Sequence, residues 1–452
     1  MIKCGEHALV IGASMSGLLA ARVLSDSFAR VTVLERDELG DGGEPRRGAP
    51  QGRHAHGLLA SGARALERLF PDFAADVEAA GGKRSDVAVD CLWHNFGGFL
   101  HTGASDLRAF LLSRPALEGL VRRRVRALPN VSLIDKRDVV ALAHESGSVV
   151  GVSHRSAGAN DPAHITSADL VVDASGRGGR APFWLDGLGY QTPQEESIEV
   201  DIAYTTRVFR RRPGEFKGRD VALVAANASN WRMGAMLRQE GERWVVTLGG
   251  YLGDRAPEDL DGFRAYARAL ATPEIYDIIA DAEPLGGAAA YAFRASRRRR
   301  YERLKSFPGG FLVIGDGLAS FNPIYGQGMS VAASEALALH ELLAEGDHDL
   351  ARRFFTAAAK LIDTPWSLAA SADLAHPGVK GPRPASVRLV NWYIERLYRA
   401  GHSDATVARA FLDVVNLIAP PAELFRPAVV ARVLRARLTR SERRRGLSAL
   451  PA

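Results

Sequence analysis

Short apolar runs, glycine-containing turns and helical stretches alternate along the first part of the chain. In "ALVIGASMSGLLAARVLSDSFARVTVLERD", residues 8–37, the continuous apolar run 8–11 is typical of a parallel strand buried on both faces. A tight turn, a helix and a second strand at residues 31–34 follow it. The pattern predicts a βαβ unit that opens a Rossmann-like α/β domain.

The pattern changes between residues 190 and 290. The segments "EVDIAYTTRVFRR", "VALVAAN", "WRMGAMLRQ" and "RWVVTLGGYLG" predict strands, and the alternation in the first favours an antiparallel sheet. Residues 260–283 are predicted to be helical, as are three segments after about residue 384.

We therefore predict an α/β fold with three parts. The first is a discontinuous Rossmann-like domain in which strands and helices alternate, the second is a domain built on a mixed or antiparallel β-sheet, and the third is a C-terminal helical appendage. Their predicted ranges are 1–85, 105–185 and 290–375 for the first, 86–104 and 186–289 for the second, and 376–452 for the third.

The composition is that of an ordinary globular protein, with 46% apolar and 24% charged residues among 452. Its two cysteines make a disulfide framework implausible and favour a reducing compartment. Because we find neither a leader pattern nor an apolar run near the roughly 20 residues that span a bilayer, we expect a cytoplasmic protein without a transmembrane segment.

The net charge of +6 comes largely from clusters of arginines. Aromatic residues do not interleave these clusters as they do on single-strand binding surfaces, so we expect no nucleic-acid partner. Arg46 and Arg47 are expected to be solvated loop residues, with a phosphate contact as the alternative.

Three small residues in the first turn match the G-x-G-x-x-G pattern of dinucleotide-binding folds. Gly12 permits the sharp turn, Ser14 is small enough to let a pyrophosphate approach the backbone, and Gly17 lets the helix pack on the strand. Glu35 lies about 20 residues beyond the loop, where a carboxylate can accept hydrogen bonds from a ribose. An acid there would repel a 2′-phosphate, so this nucleotide is expected to be FAD or NAD.

Two further predicted strands end in an acid followed by glycines. Asp173 ends the strand of "ADLVVDASGRGGRAP", and Asp316 follows the strand of "FLVIGDGLASFNPIYGQGMSVAASEA". Ligands of open α/β sheets bind outside the carboxyl ends of the strands, so both acids are predicted at a ligand site. Asp316 can accept a hydroxyl hydrogen bond there, and the Gly-Gln-Gly loop can bring backbone N–H groups close to a flat ring or a phosphate.

The three motifs, in this order, resemble those of the FAD-dependent monooxygenases with the p-hydroxybenzoate hydroxylase fold. The resemblance covers residues 1 to about 375 and implies that the first loop binds FAD, that the Asp-Ala-Ser-Gly motif touches FAD and the nicotinamide donor, and that Asp316 meets the ribityl chain. It also implies that the second domain lines the substrate cavity. "SRPALEGLVRRRVRALPNV" resembles the helix from which an arginine, here Arg114, reaches FAD. The cofactor-binding residues that the resemblance implies are Gly12, Ala13, Ser14, Ser16, Gly17, Glu35, Arg36, Arg53, Arg114, Asp173, Gly315, Asp316, Pro323, Gly326, Gln327, Gly328 and Met329.

Within that family, "EPRRGAPQGRHAHGLL" and "FNPIYGQGM" resemble most a bacterial squalene-epoxidase-like branch, which includes epoxidases of polyketide polyenes in polyether biosynthesis. The resemblance implies non-covalent FAD that is reduced by NADPH or NADH, directly or through a flavin-reducing partner. A flavin C4a-hydroperoxide formed with O₂ would then epoxidise or hydroxylate a lipophilic natural-product intermediate, as in secondary metabolism such as antibiotic biosynthesis. The flavin carries this chemistry, so no catalytic side chain is assigned.

Two other functions stay open on the sequence: a flavin-dependent reductase of isolated double bonds, similar to prenyl reductases, and a non-catalytic flavin-binding protein. A halogenase is disfavoured, because the nearest candidate for the W-x-W-x-I-P stretch of flavin-dependent halogenases, "NWRMGAML", lacks that pattern.

The "GRHAH" segment contains the remaining candidate residues. The resemblance places Arg53 and His54 at the flavin edge, and the alternative is that the histidines are hydrogen-bonded within a loop. A metal site at His54 and His56 would lack a third and fourth ligand at suitable spacing, so no metal is predicted.

Overall fold

The computed structural model describes residues 3–40, 42–46, 48–159 and 161–436. The strands are β1 (Gly5–Ile11), β2 (Phe28–Leu34), β3 (Lys83–Asp86), β4 (Cys91–Asn95), β5 (Gly98–Phe99), β6 (Arg108–Leu111), β7 (Val131–Ile134), β8 (Arg137–Glu145), β9 (Ser148–Ser156), β10 (His164–Ser167), β11 (Leu170–Asp173), β12 (Glu195–Arg210), β13 (Val221–Val224), β14 (Arg232–Gln239), β15 (Arg243–Gly250), β16 (Ala289–Arg299), β17 (Phe311–Val313) and β18 (Ala319–Ser320). The α-helices are α1 (Met15–Leu24), α2 (Ala60–Leu69), α3 (Phe73–Ala79), α4 (Val87–Asp90), α5 (Arg114–Arg126), α6 (Ala181–Gly187), α7 (Leu260–Arg268), α8 (Glu274–Ile279), α9 (Gly328–Ala344), α10 (Leu350–Asp373), α11 (Ala385–Gly401) and α12 (Ala405–Val415). Residues 427–436 are also helical.

A five-stranded parallel sheet in the order β17-β11-β1-β2-β7 forms the centre of the first domain. The apolar residues of β1 and β11 are almost fully buried, as expected for central parallel strands covered by helices on both faces. The chain moves from β1 to β2 and β7 on one side, and later to β11 and β17 on the other. The strand order therefore reverses between β1 and β11, and ligands of doubly wound sheets bind at such a switch point.

An eight-stranded mixed sheet forms the second domain, in the order β18-β16-β12-β15-β14-β13-β4-β5. Neighbouring strands in this sheet are antiparallel, except that β13 and β4 are parallel to each other. The four strands predicted between residues 195 and 250 are all present. One face of the sheet packs on α7 and α8, where Phe209, Trp244 and Phe263 are completely buried. The single predicted helical stretch at 260–283 is two short helices, since Pro273 interrupts it.

The prediction of alternating strands and helices was wrong for residues 137–167. They form a three-stranded antiparallel sheet in the order β10-β9-β8. Ser146 and Gly147 make the two-residue turn between β8 and β9, and both have positive φ, of 48° and 83°. Such turns match the twist of a hairpin, so this Ser-Gly pair was the sequence signal for an antiparallel connection.

The C-terminal helices pack against the two sheet domains. Residues of α11, α12 and the helical segment 427–436 share one apolar core with Ala60 of α2, Ala88 of α4 and two residues of the 100–107 segment, Leu100 and Leu107. The predicted helical appendage is thus confirmed as far as residue 436, and residues 437–452 lie outside the described part of the chain. Within that part of the chain, no helix is both long and apolar enough to cross a bilayer. The domain boundaries given above stay a prediction.

Candidate functional site

The turn between β1 and α1 depends on two glycines. Gly12 has a φ of +99°, and a Cβ on it would lie 2.8 Å from the carbonyl oxygen of Ala174. A Cβ on Gly17 would lie 1.9 Å from the carbonyl oxygen of Gly12. The absence of both Cβ atoms lets α1 approach the strand and the neighbouring loop closely. Ser14 occupies the N-cap position without capping the helix, and its hydroxyl donates instead to Glu118 over 3.1 Å.

The three sequence motifs meet at the carboxyl edge of the parallel sheet. A Cβ on Gly315 would lie 2.5 Å from Oγ of Ser16, so the third motif touches the first. Ideal Cβ positions on Gly176 and Gly328 lie 3.9 Å from Asp316 atoms, which places the second motif and the Gly-Gln-Gly loop around this acid. The structure thereby brings together residues that are up to 316 positions apart in the sequence.

Asp316 is accessible to solvent, yet protein surrounds its carboxyl group closely. This burial raises the pKa of Asp316, and the nearby guanidinium groups of Arg114 and Arg177 oppose the rise. Arg114 is the first residue of α5, whose N-cap Ser113 accepts the N–H of Ala116, and it pairs with Glu118 at 3.0 Å. The capped helix end thus fixes an arginine beside the acid.

Glu35 and Arg46 form a second charged group at the glycine loop. Glu35 is buried and accepts the N–H of Ala13 over 2.7 Å. The expectation that Arg46 is solvated was wrong: its side chain is only 10% exposed and pairs with Glu35 at 3.3 Å and Glu118 at 3.2 Å. Two buried carboxylates outweigh the desolvation of the guanidinium and raise the pKa of Arg46. Arg47 lies outside the described residues.

Asp173 ends β11 and is buried. Its carboxylate accepts the N–H and the hydroxyl of Ser175, and burial raises its pKa. The Arg177 guanidinium lies over the Phe293 ring at 4.5 Å, which ties this loop to the second domain.

His54 is held inside the second domain rather than free at its surface. It is buried, its Nδ1 lies 2.8 Å from Oγ1 of Thr206, and its ring packs edge-on against Tyr204. The Thr206 hydroxyl in turn lies 2.7 Å from that of Thr247. Burial and the neighbouring Arg53 lower the pKa of His54 to about 4, so it is neutral near pH 7.

Arg36 and Arg53 are both exposed, and over the described ranges neither side chain is hydrogen-bonded to the other candidate residues. The remaining predicted positions, Pro323, Gly326, Gln327, Gly328 and Met329, form the loop before α9 and its first turn. The roles of all these residues toward a cofactor stay predictions.

Sequence reasoning missed two acids that hydrogen-bond to the turn after β17 and to the loop before α9. Glu335 of α9 is buried and accepts the N–H of Gly315 over 2.7 Å, and burial raises its pKa to about 8. Asp373, at the end of α10, accepts hydrogen bonds from Asn322 and Tyr325. No local pattern pointed to these acids, because each acts on a loop distant in sequence.

The residues present fit a bound FAD. The glycine loop leaves backbone room for a pyrophosphate at the start of α1, and Glu35 is placed at the end of β2 where a ribose would lie. Asp316 offers an accessible acceptor below the Gly-Gln-Gly loop. Gln327 is buried, and its side-chain oxygen has no hydrogen-bond partner among the described residues, which leaves an acceptor for a ligand donor.

Comparison with known proteins places the chain in a family. No family model matches it. Protein Rv3254 of Mycobacterium tuberculosis (strain ATCC 25618 / H37Rv) is 36% identical over 427 residues, which cover 91% of this chain and 90% of that protein. The chain belongs to the family of Protein Rv3254.

A more distant relative and two solved structures are also similar to this chain. The 6-methylpretetramide 4-monooxygenase of Streptomyces rimosus is 26% identical over 385 residues, 78% of this chain and 80% of that protein. The structure of the flavin-dependent brominase Bmp2 superposes with a TM-score of 0.65 at 16% identity, covering 98% of this chain and 100% of that one. PqsL, a probable FAD-dependent monooxygenase from Pseudomonas aeruginosa, superposes with a TM-score of 0.62 at 17% identity, covering 82% of this chain and 97% of that one. The two structures confirm the predicted fold class, and the Streptomyces rimosus relative supports the prediction of an enzyme.

The glycine contacts predict the effect of a single methyl group. Gly17→Ala should remove FAD binding and lower the free energy of unfolding by about 2 kcal/mol or more, because its Cβ has no room beside the Gly12 carbonyl. Gly187→Ala, where a Cβ meets nothing within 4 Å, should leave FAD binding unchanged and should not lower the free energy of unfolding. FAD titration and thermal unfolding measure the two effects. Normal FAD affinity in Gly17→Ala would contradict the prediction that the close approach of Gly17 to the Gly12 carbonyl is needed for FAD binding.

The environment of His54 predicts a pH-dependent stability. A histidine whose pKa falls from 6.5 in the unfolded chain to about 4 in the native state lowers stability by about 3 kcal/mol as the pH falls from above 6.5 to 4. His54→Gln should lose this component, so its free energy of unfolding should fall less with acid than that of the wild type. The exposed His101→Gln variant should follow the wild type. Urea unfolding at several pH values tests this, and parallel curves for His54→Gln and wild type would refute it.

Proposed function

We propose that the protein is an FAD-dependent monooxygenase that uses NADPH or NADH and O₂ to insert one oxygen atom into a lipophilic natural-product intermediate. The observation that carries this proposal is the meeting of three glycine-and-acid motifs around Asp316, at the switch point of a doubly wound sheet. The overall reaction consumes substrate, O₂, NAD(P)H and a proton, and gives oxygenated substrate, NAD(P)⁺ and water.

Separate groups of residues would hold the parts of the cofactor. The Gly12–Gly17 turn and the N-terminus of α1 would hold the pyrophosphate, and Glu35 the adenosine ribose. Asp316 would accept from the ribityl hydroxyls, while residues 323–329 would lie against the isoalloxazine. Bound FAD would supply the electron transfer and the activation of O₂.

One row of side chains across the second sheet supports a lipophilic substrate. Trp93, Leu223 and Ala235 are neighbours on β4, β13 and β14, and the row continues through Thr247 and Thr206 to β12. The three apolar residues are only half-buried, whereas both threonines are covered. The row thus presents accessible apolar surface at one end and, at the other, a closed polar contact with His54. An apolar surface of this kind favours a substrate with little polar area.

The Streptomyces rimosus relative supports oxygen insertion as the reaction class, since its name specifies a 4-monooxygenase of 6-methylpretetramide. Epoxidation of a polyene and hydroxylation, both expected from the sequence, are two forms of such oxygen insertion. A reductase of isolated double bonds would consume no O₂, and a non-catalytic flavoprotein would not oxidise NAD(P)H in steady state.

A spectroscopic cycle tests the proposal. The purified full-length protein should bind FAD, lose the visible flavin absorbance when NADPH or NADH is added without oxygen, and recover it when air is admitted. Oxygen uptake should follow the amount of NAD(P)H oxidised. Absence of FAD binding, or a reduced flavin that air does not reoxidise, would overturn the assignment.

Asp316 provides the matched variant. Asp316→Asn should weaken FAD binding roughly tenfold, because a charge-assisted acceptor is replaced by a neutral one. Asp186→Asn alters another exposed acid, at the end of α6, and should bind FAD like the wild type. Equal dissociation constants for Asp316→Asn and wild type would remove Asp316 from the cofactor site.

A further inference from the structure

One carboxylate oxygen joins three parts of the chain. Oδ1 of Asp373 accepts hydrogen bonds from the Tyr251 hydroxyl at 2.7 Å, the Tyr325 hydroxyl at 2.8 Å and the Asn322 side-chain amide at 2.8 Å. Asp373 ends α10, Tyr251 directly follows β15 of the second sheet, and Asn322 and Tyr325 flank Pro323 in the loop before α9. The carboxylate therefore fastens the loop that precedes the Gly-Gln-Gly turn to the substrate-side sheet.

The surroundings of Asp373 make this contact depend on charge. Asp373 and Asn322 are completely buried, and Oδ2 of Asp373 has no partner among the described residues. His376 faces the cluster from beyond α10, with its ring stacked on Tyr251 at 3.8 Å, and burial keeps it neutral near pH 7 by lowering its pKa to about 4. The nearby Arg383 guanidinium binds backbone carbonyls of Leu374, His376 and Val379 rather than the carboxylate. All three groups that hold Oδ1 are thus uncharged donors.

We propose that Asp373 is a positioning residue that holds the 322–328 loop against the second sheet, and that its ionised form sets the loop geometry that binds FAD. An ionised acceptor makes hydrogen bonds about twice as strong as a neutral one, so protonation loosens all three contacts together. The inference rests on the proposed function, because it assigns this loop to the flavin.

The pH range follows from the burial of the carboxyl group. Burial raises the pKa of Asp373 to about 6, against the opposing effect of its three donors. The loop is therefore held firmly above about pH 6 and loosened below it. Other groups near the candidate flavin site also titrate, namely Asp316, Glu335, His54 and His56, so the contribution of Asp373 is the difference between wild type and variant.

The experiment measures the dissociation constant of FAD between pH 5 and 8 for the full-length protein. Asp373→Asn keeps the size and an acceptor oxygen but cannot ionise. Wild-type FAD binding should weaken roughly tenfold more than that of Asp373→Asn on acidification from pH 7.5 to 5. Parallel profiles for the two proteins would overturn the inference, whereas a wild type that binds no FAD at any pH would overturn the proposed function itself.

Single-hydroxyl variants keep the test valid if Asp373→Asn does not fold. Tyr251→Phe and Tyr325→Phe each remove one donor, which should move the midpoint of the wild-type pH profile upward by roughly one pH unit. Tyr301→Phe is the matched control, because the buried Tyr301 hydroxyl has no partner in the described part of the chain. A midpoint that moves equally in Tyr301→Phe, or in none of the variants, would show that Asp373 does not set the profile.

Discussion

The distance between α1 and β1 sets the geometry of the candidate site. Because Gly17 has no side chain, the first turn of α1 lies against the Gly12 carbonyl, and the same turn brings Ser16 against Gly315. The backbone of Gly12 also meets Ala174, so the loops after β1, β11 and β17 are in mutual contact. A larger residue at Gly17 would move the helix and, with it, the surfaces on which both other loops rest. The three motifs thus form one packed unit.

Buried carboxylates surround this unit, and each is compensated differently. Glu118 lies between Arg46 and Arg114, whose charges outweigh its burial and lower its pKa. Glu335 has only a backbone N–H, and its pKa rises to about 8, so it is largely protonated at neutral pH. Arg46 and Arg114 therefore balance the carboxylates of Glu35 and Glu118 beside the glycine loop, while the neutral Glu335 adds no negative charge beneath Gly315.

The sequence predicted the parts of the fold that local patterns specify. Four of the five parallel strands were visible as apolar runs, and the glycine loops expected at one edge of the sheet do meet at its carboxyl edge. The β8–β9 hairpin was missed because its short turn signal, Ser146-Gly147, was not weighed against the expected alternation of strands and helices. Arg46 was misjudged because its partners Glu35 and Glu118 meet only in the folded chain. Asp373 carried no sequence signal at all, since its role depends on a tyrosine 122 residues away.

Three polar side chains at the second sheet and the neighbouring loop, His54, Tyr251 and Tyr325, are already engaged in hydrogen bonds, and this bears on the chemistry that the site can support. His54 is engaged with Thr206 and has its pKa lowered to about 4, so it is a poor proton acceptor near neutral pH. The hydroxyls of Tyr251 and Tyr325 donate to Asp373, and burial raises the pKa of both. A reaction that used one of these three side chains as a base would have to break its contact. The proposed oxygen transfer to an apolar substrate requires no such base, only a bound cofactor, an oriented substrate and exclusion of water. In that proposal, the half-buried row from Trp93 to Ala235 would supply the surface for the last two.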